Sequence, residues 1–116
     1  MLDKLPRSLH AERDTLRRCF EAFGRTRPIR QIMLFGSHAR GESGPSSDVD
    51  LCIVADNAER QFDTARDFRR AIRGIRPKPP FTLVPISPAR LAEKQACGDH
   101  FFATVLKEGI CLAEED

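Results

Sequence analysis

Two aspartates open the most apolar stretch of this chain. Residues 34–54 read LFGSHARGESGPSSDVDLCIV, and Asp48 and Asp50 stand where the apolar run begins. Side chains alternate along a β-strand, so both carboxylates project from one face while Val49 points into the core. Like charges repel, and their burial costs free energy unless a cation lies between them. The pair is therefore either a set of solvated acids at a strand end or a ligand pair for Mg²⁺, which takes few protein oxygens and leaves room for phosphate.

A glycine and a serine end the apolar run that precedes these acids. Gly36 and Ser37 follow residues 32–35, which predict a buried strand. Glycine allows close approach of the backbone, and N–H groups near a helix start favour phosphate. The serine hydroxyl adds a donor. A metal pair beside a phosphate cradle is the minimal equipment for phosphoryl or nucleotidyl transfer, which depends on positioning and charge neutralisation.

Length and composition limit the class of protein. A chain of 116 residues predicts one domain over residues 1–116. With 41% hydrophobic and 31% charged residues, we expect a globular fold rather than disorder. No apolar run approaches the roughly 20 residues that span a bilayer, and the N-terminus does not resemble a signal peptide. We therefore expect a cytoplasmic protein without membrane contact.

Hydrophobic periodicity predicts four helices and three buried strands. The predicted helices cover residues 6–23, 59–74, 88–96 and 101–107, with Gly24 closing the first and Ser87 capping the third. The predicted strands cover residues 32–35, 49–55 and 81–86, and residues 109–116 form a tail or a further strand. Pro85 predicts that the third strand ends there or lies at a sheet edge. This order predicts an α/β or α+β sandwich with a small sheet.

The combination of these motifs resembles the DNA polymerase β-like nucleotidyltransferase superfamily, and most closely its minimal nucleotidyltransferases, the MNT proteins. Their motif is Gly-Ser, ten residues, Asp-x-Asp, which is matched here at residues 36–50. A "KEGI" turn at residues 107–110 is typical of the group's C-terminus, so the resemblance covers nearly the whole chain. The residues that match the wider form of the motif are Gly36, Ser37, Ala39, Arg40, Gly41, Ser47, Asp48, Asp50 and Leu51.

The resemblance implies a nucleotidyltransferase-like fold, a small mixed β-sheet flanked by helices, that binds a nucleoside triphosphate with Mg²⁺. It implies that Asp48 and Asp50 hold the metals and are the catalytic acids. Gly36 and Ser37 would contact the β- and γ-phosphates. Arg40 and Ser47 are the further candidates for nucleotide binding.

The resemblance also implies a reaction and a partner. An acceptor hydroxyl would attack the α-phosphorus of the triphosphate, with ATP as the expected donor, and pyrophosphate would leave. In this group the acceptor can be a tyrosine on a partner protein of the HEPN type. The two proteins then form a toxin–antitoxin module, in which the MNT member is the antitoxin.

One position departs from the family's pattern. Active members usually carry a third carboxylate on the next strand, which here reads FTLVPI with Thr82 in that place. No Asp or Glu occurs between residues 77 and 92. A threonine hydroxyl is neither an anion nor a base at neutral pH. Either the enzyme works with a substitute acid, such as Asp56 or one from a partner, or the chain is a degenerate member that binds its partner by contact alone.

Two polar residues within the motif segment each have a functional interpretation and a simpler structural one. Arg40 either touches the triphosphate or forms an ion pair with Glu42 or Asp48 that orders the loop. His38 either assists proton transfer or, as expected for a histidine in a polar loop, faces solvent.

The helix predicted over residues 59–74 places Phe62, Phe68 and Ile72 on its apolar face and most of its arginines off that face. Asp63 and Asp67 lie three or four positions from arginines of this helix. Ion pairs along the helix therefore account for many of its arginines without a nucleic-acid partner. Nucleic acid is not the favoured partner, since no aromatic residues are interleaved for base stacking and the net charge is only +2.

A late apolar cluster is predicted to pack on the sheet, with part of it facing a partner subunit. Its members are Phe101, Phe102, Val105 and Leu106.

Overall fold

A computed structural model describes residues 2–115 of the chain. The first element is a 3₁₀ segment, Arg7–Glu12, and helices then alternate with strands, except that two helices follow the third strand. The helices are α1 (Arg13–Thr26), α2 (Ser37–Arg40), α3 (Gln61–Ala71), α4 (Pro88–Ala96) and α5 (His100–Glu108). The strands are β1 (Ile29–Phe35), β2 (Val49–Ala55), β3 (Phe81–Ile86) and β4 (Ile110–Glu114).

The four strands form one mixed sheet in the order β3-β2-β1-β4. β1 is antiparallel to both β2 and β4, while β2 and β3 run parallel. The predicted fold class, a small mixed sheet flanked by helices, is confirmed. β3 is an edge strand, which explains how it accommodates Pro85 without losing a ladder hydrogen bond to a second neighbour.

The sheet has two faces that differ in their cover. On the first, the closed face, Val49, Leu51 and Ile53 of β2 pack in one cluster with apolar side chains of α1 and α3. On the second, the open face, Cys52 and Val54 pack in a smaller cluster with side chains of α4 and α5. Because side chains alternate along a strand, Asp50 shares the open face with Cys52 and Val54.

The first helix differs from its prediction at both ends. Residues 7–12 form a 3₁₀ segment, and the α-helix begins only at Arg13. Gly24 does not close the helix but lies within it, since α1 continues to Thr26. A glycine inside a helix costs about 1 kcal/mol, which a well-packed helix tolerates. The end of the helix is set by Pro28, because the residue before a proline disfavours helical backbone.

The prediction for Phe62 is wrong. Phe68 and Ile72 are buried as expected, but Phe62 is 89% exposed. At about 100° per residue, Phe62 lies about 120° around the helix axis from Phe68 and therefore points away from the core. Thr64, one turn before Phe68, is buried in its place and donates its hydroxyl hydrogen to the Arg60 carbonyl oxygen at 2.8 Å.

The late elements follow their predictions closely. Ser87 accepts a hydrogen bond from the Arg90 N–H and caps α4, and residues 110–114 form a strand rather than a tail. In the late apolar cluster Phe102 and Val105 are buried against the sheet, whereas Phe101 is 43% exposed. Among the described residues, no helix has the length and apolar character that crossing a bilayer requires.

Candidate active site

The strand register brings three motif positions to one end of the open face. Phe35, the last residue of β1, pairs with Asp50 of β2, and Asp50 pairs with Thr82 of β3. Asp48 precedes β2 by one residue, and the hydroxyl of Thr82 donates to its Oδ2 at 2.9 Å. The two aspartates and the residue at the third-carboxylate position therefore form one cluster, as the sequence predicts.

Gly36 brings the turn after β1 into direct contact with this cluster. Its φ is +77°, a backbone conformation that residues with a Cβ rarely adopt. A Cβ at this position would stand 2.0 Å from Oδ2 of Asp50. Glycine is thus required twice here, by the backbone angle and by the space that the carboxylate occupies.

The turn that follows is the single helical turn α2. The Arg40 N–H donates to the Gly36 carbonyl oxygen at 3.1 Å, and the Glu42 N–H donates to the Ser37 carbonyl oxygen at 2.9 Å. Gly41 ends the turn in a left-handed conformation, with φ +72°. Ser37 begins the turn, in the chain segment where backbone N–H groups have no partner within the helix.

The two aspartates differ in their surroundings. Asp48 is exposed, whereas Asp50 is half-buried between the strands. Burial, and to a smaller extent the charge of Asp48, raises the pKa of Asp50. The Thr82 hydroxyl and the more distant charges of His38 and Arg40 oppose that increase. Without a cation, the ionised form of Asp50 is therefore destabilised relative to an aspartate in water.

The substitute acid suggested by the sequence does not lie at this site. Asp56 follows the far end of β2, six residues from Asp50, which corresponds to roughly 20 Å along a strand. Its two carboxylate oxygens accept hydrogen bonds from Arg30, both at 3.0 Å. Within residues 2–115 no group of three or more Asp, Glu, His or Cys side chains is arranged to hold a metal. The side chains that meet at this end of the sheet and carry oxygen atoms include the two aspartates and Thr82.

Arg40 and Ser47 both make contacts within the loop. Nε of Arg40 donates to Glu42 at 2.8 Å, the first of the two ion pairs that the sequence suggested. The hydroxyl of Ser47 accepts from the Gly44 N–H at 2.8 Å and closes a turn before Asp48. Their roles toward a nucleotide stay predictions.

The expectation that His38 faces solvent is wrong. The residue is only 6% exposed, and its Nδ1 lies 2.9 Å from the Ser8 hydroxyl. This contact joins α2 to the 3₁₀ segment across 30 positions of sequence. Sequence reasoning missed Ser8 because no local pattern links residues so far apart.

The arginines of α3 are partly paired on the surface. Asp63 contacts Arg60 at 2.9 Å and Arg66 at 3.4 Å, which confirms pairing along the helix. Asp67 instead pairs with Arg27 at the end of α1, at 3.0 Å. These contacts reduce the positive charge that this helix presents to a partner.

The site thus consists of a glycine-serine turn that touches one of two neighbouring aspartates at the end of a small mixed sheet. The family model described as a nucleotidyltransferase domain matches residues 16–105, and the chain belongs to this family.

A search of solved structures supports the same fold. A chain of a toxin–antitoxin crystal structure with AMP-PNP is 23% identical, with a TM-score of 0.52. The match covers 86% of this chain and 73% of that chain. No curated protein matches the sequence significantly.

Proposed function

We propose that this protein is a Mg²⁺-dependent nucleotidyltransferase that transfers a nucleoside monophosphate from a nucleoside triphosphate, with ATP the expected donor, to a hydroxyl acceptor. The acceptor we propose is a partner toxin of the HEPN type, so that the protein acts as its antitoxin. The observation that carries the proposal is the contact of Gly36 with Asp50, which sets the glycine-serine turn, the candidate for phosphate binding, directly beside a candidate metal ligand. Family membership and the likeness to a chain of a toxin–antitoxin structure with AMP-PNP support it.

The donor atoms of the site fit Mg²⁺. Asp48, Asp50 and the Thr82 hydroxyl offer hard oxygen ligands, and Mg²⁺ needs only one or two carboxylates when phosphates and water complete its shell. The raised pKa of Asp50 is consistent with a carboxylate that gains from a bound cation. Once bound, Mg²⁺ would neutralise charge on the triphosphate.

The residues of this chain would act mainly by binding and orientation. The turn at Gly36 and Ser37 would bind the β- and γ-phosphates and hold the α-phosphorus near Asp50. The acceptor oxygen forms a bond to the α-phosphorus, the bond from that phosphorus to the bridging oxygen breaks, and pyrophosphate leaves with the electron pair. The acceptor's proton passes to solvent water, because Thr82 stands where the family motif has a carboxylate and its hydroxyl accepts no proton at neutral pH. We therefore expect slow turnover.

A second candidate is neutralisation by contact alone. It is favoured by Thr82, whose hydroxyl bonds to Asp48 at the position where active relatives carry an acid. Loss of one preorganised charged group typically lowers a rate by two to three decades. On this alternative the fold is kept as a binding surface and the chemistry is lost.

Intact-mass measurement of the partner separates the two candidates. A HEPN protein encoded beside this gene, where the genome carries one, is incubated with this protein, ATP and Mg²⁺, and its toxicity is assayed in parallel. Transfer predicts that the partner gains one nucleoside monophosphate. It also predicts that Asp48→Asn/Asp50→Asn abolishes both the mass gain and neutralisation.

A surface acid provides the control variant. Asp63→Asn, on the helix that covers the closed face, is expected to behave as the wild type in both assays. Neutralisation by the double variant, without a mass gain for any variant, would establish the contact mechanism and overturn the enzymatic one. If neither the wild type nor the double variant neutralises or modifies the partner, the proposed pairing with a HEPN protein is wrong.

A further inference from the structure

One exposed aromatic ring is fixed beside the acidic cluster. Among residues 2–115 two large hydrophobic side chains are exposed, Phe62 and Phe101. Phe101, in the first turn of α5, meets Phe35 edge to face, with ring centroids 5.5 Å apart and an angle of 89°. It also meets Phe102 at 5.0 Å and 85°. Two such contacts hold the ring in one place although 43% of the residue is open to solvent.

Phe101 is close to the candidate active site because of its contact with Phe35. Phe35 immediately precedes Gly36 and pairs with Asp50 across the sheet. Its side chain lies on the open face, where it packs against the smaller cluster. Paired residues of neighbouring strands have Cα atoms about 5 Å apart, so the Phe101 ring lies on the order of 10 Å from Asp50. A ribose spans the gap between a phosphate at Asp50 and a base at that ring.

The order of the strands places this ring on the same side of Asp50 as the glycine-serine turn. Thr82 lies on the other side of Asp50, on β3. Phe35 and Phe101 lie on the opposite side, with β1 and the glycine-serine turn. A nucleotide whose α-phosphate lies at Asp50 therefore has the Phe101 ring within reach of its base.

We propose that Phe101, supported from beneath by Phe35, is a platform on which the nucleobase of the triphosphate stacks. This inference rests on the proposed nucleotide binding and specifies how the base is held. Stacking uses the π-face that every base has, not its hydrogen-bonding edges. The platform therefore predicts a broad nucleoside triphosphate specificity, in which the four common triphosphates bind within a few-fold of each other and the purines bind best.

Two probes separate the base from the phosphates. Calorimetric titrations with Mg²⁺-ATP and with Mg²⁺-tripolyphosphate, which has no base, are compared for the wild type and Phe101→Ala. We expect Phe101→Ala to weaken ATP binding about tenfold, equivalent to about 1.4 kcal/mol, and to leave tripolyphosphate binding unchanged. Phe101→Trp keeps the π-face and is expected to retain ATP affinity.

Phe62→Ala is the matched control. It removes the other exposed phenylalanine, which lies on α3, on the far side of the sheet. It should bind both probes as the wild type does. Thermal unfolding of each variant verifies that the fold is intact.

Each remaining outcome has a distinct meaning. Equal ATP affinity of Phe101→Ala and wild type overturns the platform while nucleotide binding stands. An equal loss for both probes also overturns it, because the ring would then act only through the shape of the phosphate turn. If the folded wild type binds neither probe, the proposed function fails and the platform with it.

Discussion

The two faces of the sheet differ in what covers them, although they share the same strands. On the closed face, Leu51 and Ile53 of β2 are fully buried beneath α1 and α3. On the open face, the same strand presents Cys52 and Val54 to a smaller cluster, and its second residue is the half-buried Asp50. Apolar burial stabilises the fold, and the proposed chemistry lies where the apolar cover of the sheet ends.

One strand, β2, contributes side chains both to the core and to the candidate site. Successive side chains point to opposite faces, so β2 holds a fully covered surface and an open acidic end at once. The buried positions Val49 and Leu51 flank Asp50 and fix the backbone that carries it. The closed face thus positions the site without contributing atoms to it. The predictions below test this division of roles.

Truncation of a ring on the closed face should have the largest effect. Phe68 is fully buried, with its ring centroid 5.1 Å from that of Phe23. Phe68→Ala is expected to lower the free energy of unfolding by about 3–5 kcal/mol. Phe102→Ala, at the thinner cover of the open face, should cost about 1–3 kcal/mol. Urea denaturation measures both, and equal losses would contradict the division between the faces.

Thr82→Asp tests whether the open face lacks only one carboxylate. The added charge restores the family's third acid, and we expect nucleotide transfer to rise by about two decades. The change adds a third negative charge, so the variant should melt at a lower temperature in metal-free buffer and recover with Mg²⁺. Radiolabel incorporation and thermal melting measure the two effects. Thr82→Asn, which adds bulk without charge, should change neither the transfer rate nor the melting temperature in this way. If Thr82→Asp transfers nucleotide no faster than the wild type, the site lacks more than this one carboxylate.

Gly36→Ala and Gly41→Ala separate backbone strain from contact with the site. Both glycines have positive φ, but only at Gly36 does a Cβ meet a neighbour, the carboxylate of Asp50. Both variants should lose about 1–3 kcal/mol of stability from strain alone. Gly36→Ala should in addition abolish Mg²⁺-ATP binding, while Gly41→Ala retains it. Similar nucleotide affinities for the two variants would show that the contact has no role in binding.

Ser8→Ala should have the smallest effect. It removes the hydroxyl that lies 2.9 Å from Nδ1 of buried His38, at an expected cost of about 1 kcal/mol. Because His38 lies in α2, ATP affinity should fall by a few-fold. Denaturation and titration of Ser8→Ala are compared with Ser46→Ala, an exposed serine in the same loop as the motif. Identical behaviour of the two variants would exclude a supporting role for this contact.

Local sequence patterns predicted much of the fold and those residues of the candidate site that lie close together in the sequence. Alternation and apolar runs predicted β2 and β3 with their observed bounds, and the spacing of the motif predicted that Asp48 and Asp50 share a face. The environment of His38 could not be predicted, since its partner is set by how the 3₁₀ segment packs on α2. The exposure of Phe62 could have been predicted, because its angular position relative to Phe68 already places it off the buried face.

Asp50→Asn provides a folded reference for the nucleotide site. Burial raises the pKa of Asp50 above its value in the unfolded chain, so the folded state favours the protonated form. The resulting stabilisation is present at low pH and is lost as pH rises through the folded-state pKa. At pH 7 without metal, Asn at this position should therefore leave the melting temperature unchanged or raise it. A marked loss of stability would contradict this electrostatic description.

The most direct test of the central claim is a calorimetric titration of ATP into the protein with and without Mg²⁺, repeated on Asp50→Asn. We predict saturable binding that requires Mg²⁺ and disappears in the folded Asp50→Asn variant. Binding that Asp50→Asn leaves intact, or no binding by the folded wild type, would contradict the claim that the open end of this face is a nucleotide site.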